Sequence, residues 1–226
     1  MRDHREMVER GGPGGPEWAV AIARRDDRLF FRLDLLGQTP ATSIPHVAAH
    51  ESVHQVVAHL GGFPLPRWFE EGLCVHFAGV SYFDLDTRLE RLAAAGNLPR
   101  FAEAGDLFAG DARRASIGYR FGQEVVAAFL SRFGDEALRR LLRAVAEGRR
   151  FEAAFLEATG VPLARFEEAW RSGITPALPF WLYVLLENLE LTLLVAGAIA
   201  VALGYLRYRL RREAALIRLD RISGPE

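Results

Sequence analysis

No lysine occurs in this chain: all 28 basic residues are arginine, set against 29 acidic ones for a net charge of -1 over 226 residues. With that balance, and no basic cluster in the portion expected to fold, the sequence argues against a nucleic-acid partner. The arginine bias itself is explained by a GC-rich coding sequence. Cys74 is the single cysteine, which excludes an intrachain disulfide and removes any redox-compartment signal. Its expected role is that of a small buried hydrophobe, with a metal-ligand role as the alternative beside the three ligands assigned below. Internal repeats and low-complexity tracts are absent. Residues 1–16 are polar and glycine-rich, lack the apolar core of a signal peptide, and are expected to be a flexible segment.

What the chain does contain is His50-Glu51-Ser52-Val53-His54, an HExxH motif. Residues four apart on a helix lie on one face, so both imidazoles can reach one ion. Glu51, beside them, is placed to take a proton from a metal-bound water rather than to bind the metal. Thr42 and Ser43 are candidate caps, Pro45 suits a first turn, and Gly61 and Gly62 end the run. Val47, Val53, Val56, Val57 and Leu60 make this helix mostly buried in expectation.

Seventeen residues beyond His54 stands Glu71, in Pro66-Arg67-Trp68-Phe69-Glu70-Glu71-Gly72-Leu73. Pro66 can open a helix through Phe77 that Gly79 closes, with Glu70 and Glu71 pointing in different directions, one to the metal and one to water. Two His and one Glu are a known ligand set for catalytic zinc, with a fourth position left for water.

With these two elements the chain resembles the gluzincin superfamily, specifically the peptidase MA-like metallohydrolases. In that pattern the glutamate directly before glycine is the third ligand, here Glu71. The resemblance covers about residues 17–173: Trp18 to Leu36 looks like the strand pair before the motif helix, Ala115 to Gly134 like the later tyrosine-containing helix, and Gly148 to Trp170 like the closing helical pair. It implies one zinc ion on His50, His54 and Glu71, with Glu51 as general base. Tyr119 is the candidate oxyanion donor; the competing reading is an ordinary half-buried tyrosine. The fold it implies is α+β, a small N-terminal antiparallel sheet on a mainly helical zincin-type domain, with the sheet edge taking extended substrate backbone. The expected partners are a peptide or protein substrate and a lipid membrane. A catalytically inactive zincin scaffold acting as a binding module is the alternative.

A metzincin would need glycine and histidine three and six residues after His54, where Val57 and Leu60 stand. His59 is expected at the surface, as is His46, while His76 is expected in packing or at the surface. No acidic exopeptidase motif precedes His50, so an endopeptidase is favoured over an aminopeptidase.

From residue 17 the pattern predicts two strands, Trp18 to Ala23 and Leu29 to Leu35, then helices over Thr87 to Ala94, Ala115 to Phe133, Glu136 to Ala146, Phe151 to Ala158 and Leu163 to Arg171. The folded domain is expected over 17–173 and a linker or interfacial segment over 174–190. Leu191 to Leu206 is an uncharged apolar run of about 24 Å if helical, close to a membrane core of roughly 30 Å once Leu189 and the snorkelling Arg207 and Arg209 are added. It predicts a membrane helix over 191–206 and an arginine-rich tail over 207–226. Glu187 and Glu190 precede it and Arg207, Arg209, Arg211 and Arg212 follow, which puts the tail in the cytoplasm and the folded domain outside. The missing signal core conflicts with that topology, and a missing or misassigned start is the favoured resolution.

Overall fold

The computed structural model describes residues 2–11, 17, 19–23, 28–39, 42–60, 65–79, 89–174 and 179–222. It is mostly helical, with one small sheet, and divides into two compact units, Met1–Pro176 and Ala177–Glu226.

The first unit opens with a helix where a flexible segment was expected. Helix α1 spans His4–Gly11, because Asp3 Oδ1 accepts the Glu6 amide at 3.0 Å and the Glu6 side chain accepts the Arg2 amide, and it buries Met7 completely. Strands β1 (Ala21–Ala23) and β2 (Leu29–Phe31) pair antiparallel in the register Ala21↔Phe31, Ile22↔Phe30 and Ala23↔Leu29. They are shorter than the alternation predicts, since the chain turns after Arg32; Trp18 and the turn at 24–27 lie outside the described residues. Arg32 fixes that turn. Its guanidinium is buried, donates to the Glu17 carbonyl and grips Asp34 with two hydrogen bonds, of 3.1 and 2.6 Å. A two-stranded hairpin is marginal alone; here β1 packs on α2 and β2 on α1.

Helix α2 (Ile44–His59) starts at Ser43, which caps without a side-chain hydrogen bond, and carries Pro45 in its first turn. Only one face is buried, through Val47, His50, Glu51 and Val57. Val56 and, at the helix end, Leu60 are more than half exposed, against expectation, on the side of α2 away from α3 and β1 among the described residues. Gly61 and Gly62 fall outside the described residues.

Helix α3 (Arg67–Ala78) is the core of the unit. Pro66 opens it and Gly79 closes it with a left-handed φ of 67°, as the proline and glycine positions predict. Trp68, Phe69, Leu73 and Val75 are buried on it. Trp68 stacks against Phe101 at 4.7 Å, and Phe69 packs on Phe129 and Phe151. Beyond it, α4 spans Leu89–Ala94 and a 3-10 helix spans Ala104–Ala109.

Helix α5 spans Ala112–Ala146, capped at Asp111, whose Oδ1 accepts the Arg114 amide at 2.9 Å. Gly134, at φ 74° and ψ 174°, breaks it into the two arms that the glycine predicts. The first arm crosses α3 closely. A Cβ on Gly72 would meet the Gly122 carbonyl oxygen at 2.3 Å, and one on Gly122 would meet the Trp68 carbonyl oxygen at 2.2 Å. Helices α6 (Phe151–Thr159) and α7 (Leu163–Gly173) close the core, and Arg171 on α7 donates to the Leu98 and Pro99 carbonyls, holding the loop that presents Phe101.

In the second unit α8 spans Phe180–Glu187 and α9 spans Leu189–Ile222. Asn188 separates them by leaving helical geometry, with its Nδ2 donating to the Val184 carbonyl. The apolar run 191–206 is therefore part of a longer helix. Its stretch Leu189–Ala214 has a mean hydropathy of 2.0 over its most apolar window and is long and apolar enough to cross a membrane.

Candidate metal centre

Helices α2 and α3 bring His50, His54 and Glu71 together. Glu71 Oε2 stands 3.4 Å from His50 Nε2 and 3.4 Å from His54 Nε2. Ligand atoms at zinc–N and zinc–O bond lengths stand roughly 3.3–3.5 Å apart around a tetrahedral ion, and the two Glu71–imidazole spacings match that range. Glu71 Oε2 is also buried and has no hydrogen-bond partner among the described residues. An anionic oxygen in that condition is costly unless a cation takes it up. The donor set and its geometry fit a divalent ion.

Glu70 does not face water, as its different direction from Glu71 suggested. It reaches the far edge of the same imidazole: His54 Nδ1 donates to Glu70 Oε1 at 2.9 Å. The His54 ring lies between two consecutive carboxylates, which sit about 100° apart around α3. A carboxylate on Nδ1 orients the ring and leaves Nε2 toward Glu71. Arg67, one turn before Glu71, holds the other oxygen, with Nε 3.6 Å from Glu71 Oε1 and its guanidinium over the Phe108 ring.

Charge and burial compete at each group. Burial alone would push the Glu71 carboxyl up, but the His50 and His54 imidazoles facing it outweigh burial and hold Glu71 well below the usual carboxylate range. Burial works to lower His54, while hydrogen bonds to Cys74, Glu70 and Glu71 raise it well above the ordinary imidazole value. Glu51 is raised, chiefly by burial, against the pull of His50 and His54. A backbone hydrogen bond from Ala23 ties Glu51 to the sheet.

Glu51 and His50 look into a cavity of about 200 Å³ lined also by Val20, just before β1, Ala21 of β1, Val47 of α2, and Ala115 and Tyr119 of α5. The Tyr119 ring packs edge-on to His50 at 6.0 Å and against Phe108 at 5.2 Å. The close crossing at Gly72 and Gly122 brings Tyr119, one turn before Gly122, to the site. His46, His59 and His76 stay outside it. His46 and His59 are exposed, His59 donating to the Gln55 carbonyl at 2.8 Å, and His76 stacks on Phe77.

Cys74 is fully buried, as expected, yet packing is not its whole environment. Its sulfur forms a group with His50 and His54 in which the ligand atoms all lie within 4.8 Å of one another. The i+3 spacing from Glu71 carried that signal, as the i-4 spacing carried Arg67. No protein-family model, curated protein or solved structure matches this chain.

Proposed function

We propose that this protein is a membrane-anchored zinc metallopeptidase that hydrolyses peptide bonds, with a gluzincin-type domain in residues 17–173 and α9 as its anchor. The observation that carries the reading is the meeting of His50 Nε2 and His54 Nε2 at the buried oxygen of Glu71, with Glu51 beside them at the head of a cavity.

A zinc ion, when bound by His50, His54 and Glu71, supplies Lewis acidity toward the scissile carbonyl and lowers the pKa of a water to about 7. The other steps belong to the chain. Glu51 accepts the proton of the attacking water on its carboxylate and passes it to the leaving amine; its raised pKa brings that exchange closer to neutral pH. Tyr119, across the cavity, donates its hydroxyl to the negative charge that builds on the carbonyl oxygen. Glu70 keeps His54 oriented, and Arg67 keeps Glu71 from turning away. The strand segment at Val20 and Ala21 forms the wall along which an extended peptide lies.

The side chains of Leu191, Leu193, Leu194, Val195, Ile199 and Val201 are exposed around α9, which suits a helix surrounded by lipid. Arg207, Arg209, Arg211 and Arg212 then mark its cytoplasmic end, leaving the peptidase domain on the other side.

The test is made on the full-length protein purified in detergent. One equivalent of zinc by elemental analysis, and chelator-sensitive cleavage of casein, are expected. Glu51→Gln is expected to keep the zinc and lose turnover; an active Glu51→Gln protein sinks the assignment, and zinc retained by an inactive wild type points to a binding module.

A further inference from the structure

We infer that Cys74 supplies a sulfur ligand to the same ion, so that the resting centre is a four-ligand set of His50, His54, Glu71 and Cys74. This rests on the zinc reading of the first three residues and deepens it.

One observation places the sulfur and a second marks the cation site it joins. The first is position: the Cys74 sulfur and the ligand nitrogens of His50 and His54 lie within 4.8 Å of one another. A tetrahedral zinc holds sulfur and nitrogen roughly 3.6 Å apart, so a contraction of about 1 Å completes the set. The second is the buried Glu71 oxygen, on the same helix and one turn away, which has no hydrogen-bond partner among the described residues and is aimed at both imidazoles. Each helix thus contributes a pair: His50 and His54 at i,i+4 from α2, Glu71 and Cys74 at i,i+3 from α3.

Charge supports the same set. A glutamate and a thiolate together neutralise a doubly charged ion, which lowers the cost of keeping it in a buried site. Sulfur also favours borderline-soft zinc over hard ions such as magnesium and manganese. It competes with water for the fourth position, so Cys74 sets the fraction of protein that holds a water within reach of Glu51.

X-ray absorption at the zinc edge on the full-length, zinc-loaded protein in detergent decides the matter. One sulfur scatterer near 2.3 Å beside nitrogen and oxygen near 2.0–2.1 Å is the expected shell. Cys74 is the sole cysteine, so that sulfur is removed by Cys74→Ser, which is also expected to weaken zinc binding by more than about tenfold. Cobalt substitution gives a second readout: a near-ultraviolet thiolate charge-transfer band in the wild type that Cys74→Ser lacks. One bound zinc with only nitrogen and oxygen neighbours, or a sulfur shell that survives in Cys74→Ser, overturns the sulfur ligand and leaves the three-ligand reading standing. A protein that binds no zinc overturns both.

Discussion

Gly72 and Gly122 meet backbone to backbone where α3 crosses α5, with no room for a methyl group on either. The contact lies one residue after Glu71 and three after Tyr119, so it sets the distance between Glu71 on α3 and the tyrosine lining the cavity. Gly72→Ala puts a carbon against a carbonyl oxygen, and neither backbone can rotate out of the way. The expected loss is on the order of 1–3 kcal/mol of stability, the range for overpacking a core, and with it a weaker zinc affinity. Gly79→Ala is the control. It has open space around it but a left-handed φ, so it should lose roughly 1–2 kcal/mol and leave zinc binding unchanged. Thermal melts and zinc titrations of both variants separate the two effects; equal zinc affinity in Gly72→Ala would show that the crossing does not set the site.

Glu70 acts through His54. Removing a carboxylate that orients a metal-ligating histidine costs about 10–100-fold in metal affinity. Glu70→Ala is expected to fall in that range, and Glu70→Gln to recover part of it, because its amide oxygen still accepts from His54 Nδ1. A merely structural role would lower the melting temperature of the metal-free protein in both variants without this graded effect on zinc.

The elements that sequence made legible are those set by local chemistry. Pro66 and Gly79 bracket α3, Gly134 parts the arms of α5, and the four-residue spacing of His50 and His54 puts them on one face, all consequences of backbone geometry. The role of Glu70 was hidden, because two adjacent helical residues point apart and only the angle of α2 over α3 puts one imidazole between them. The close approach at Gly72 and Gly122 was hidden too, because which helices cross there is set by tertiary packing. The exposure of Val56 and Leu60 was hidden for a similar reason: an apolar residue says nothing about which side of a helix is left without a neighbour. α1 went unread because its capping pair, Asp3 and Glu6, sits in a segment whose composition reads as unfolded.

The Arg32–Asp34 pair gives a pH dependence away from the metal ligands. A hydrogen bond from Arg32 holds the Asp34 carboxyl below its ordinary value, and the same bond raises Arg32. A group with a lowered folded-state pKa stabilises the fold above its unfolded pKa and ceases to do so as the pH falls through the folded one. Asp34→Asn should therefore melt below the wild type near neutral pH, and the gap should close in acid. Since Asp34 is solvent-exposed the gap is small; a gap that persists undiminished in acid would mean that packing, not charge, is lost.

Tyr119 can be separated from the metal by a single oxygen. Tyr119→Phe keeps the ring against His50 and Phe108 and removes only the hydroxyl, so zinc content and melting temperature should stay at the wild-type values. Loss of one oxyanion donor costs about 10²–10³ in kcat, and the fall should appear in kcat with KM little changed. An unchanged kcat would assign Tyr119 to packing alone.

The anchor reading of α9 rests on its apolar surface, and Ile199, near the middle of the 191–206 run, is the residue at which a charge should cost most. An arginine at the centre of a membrane helix costs roughly 2.5–3.5 kcal/mol on insertion scales, enough to shift a marginal span strongly toward the aqueous phase. Ile199→Arg is expected to move a large part of the protein out of the carbonate-resistant membrane pellet, whereas Ala214→Arg, at the end that already carries four arginines, should not. Equal retention of both variants would show that α9 is held by protein contacts rather than by lipid.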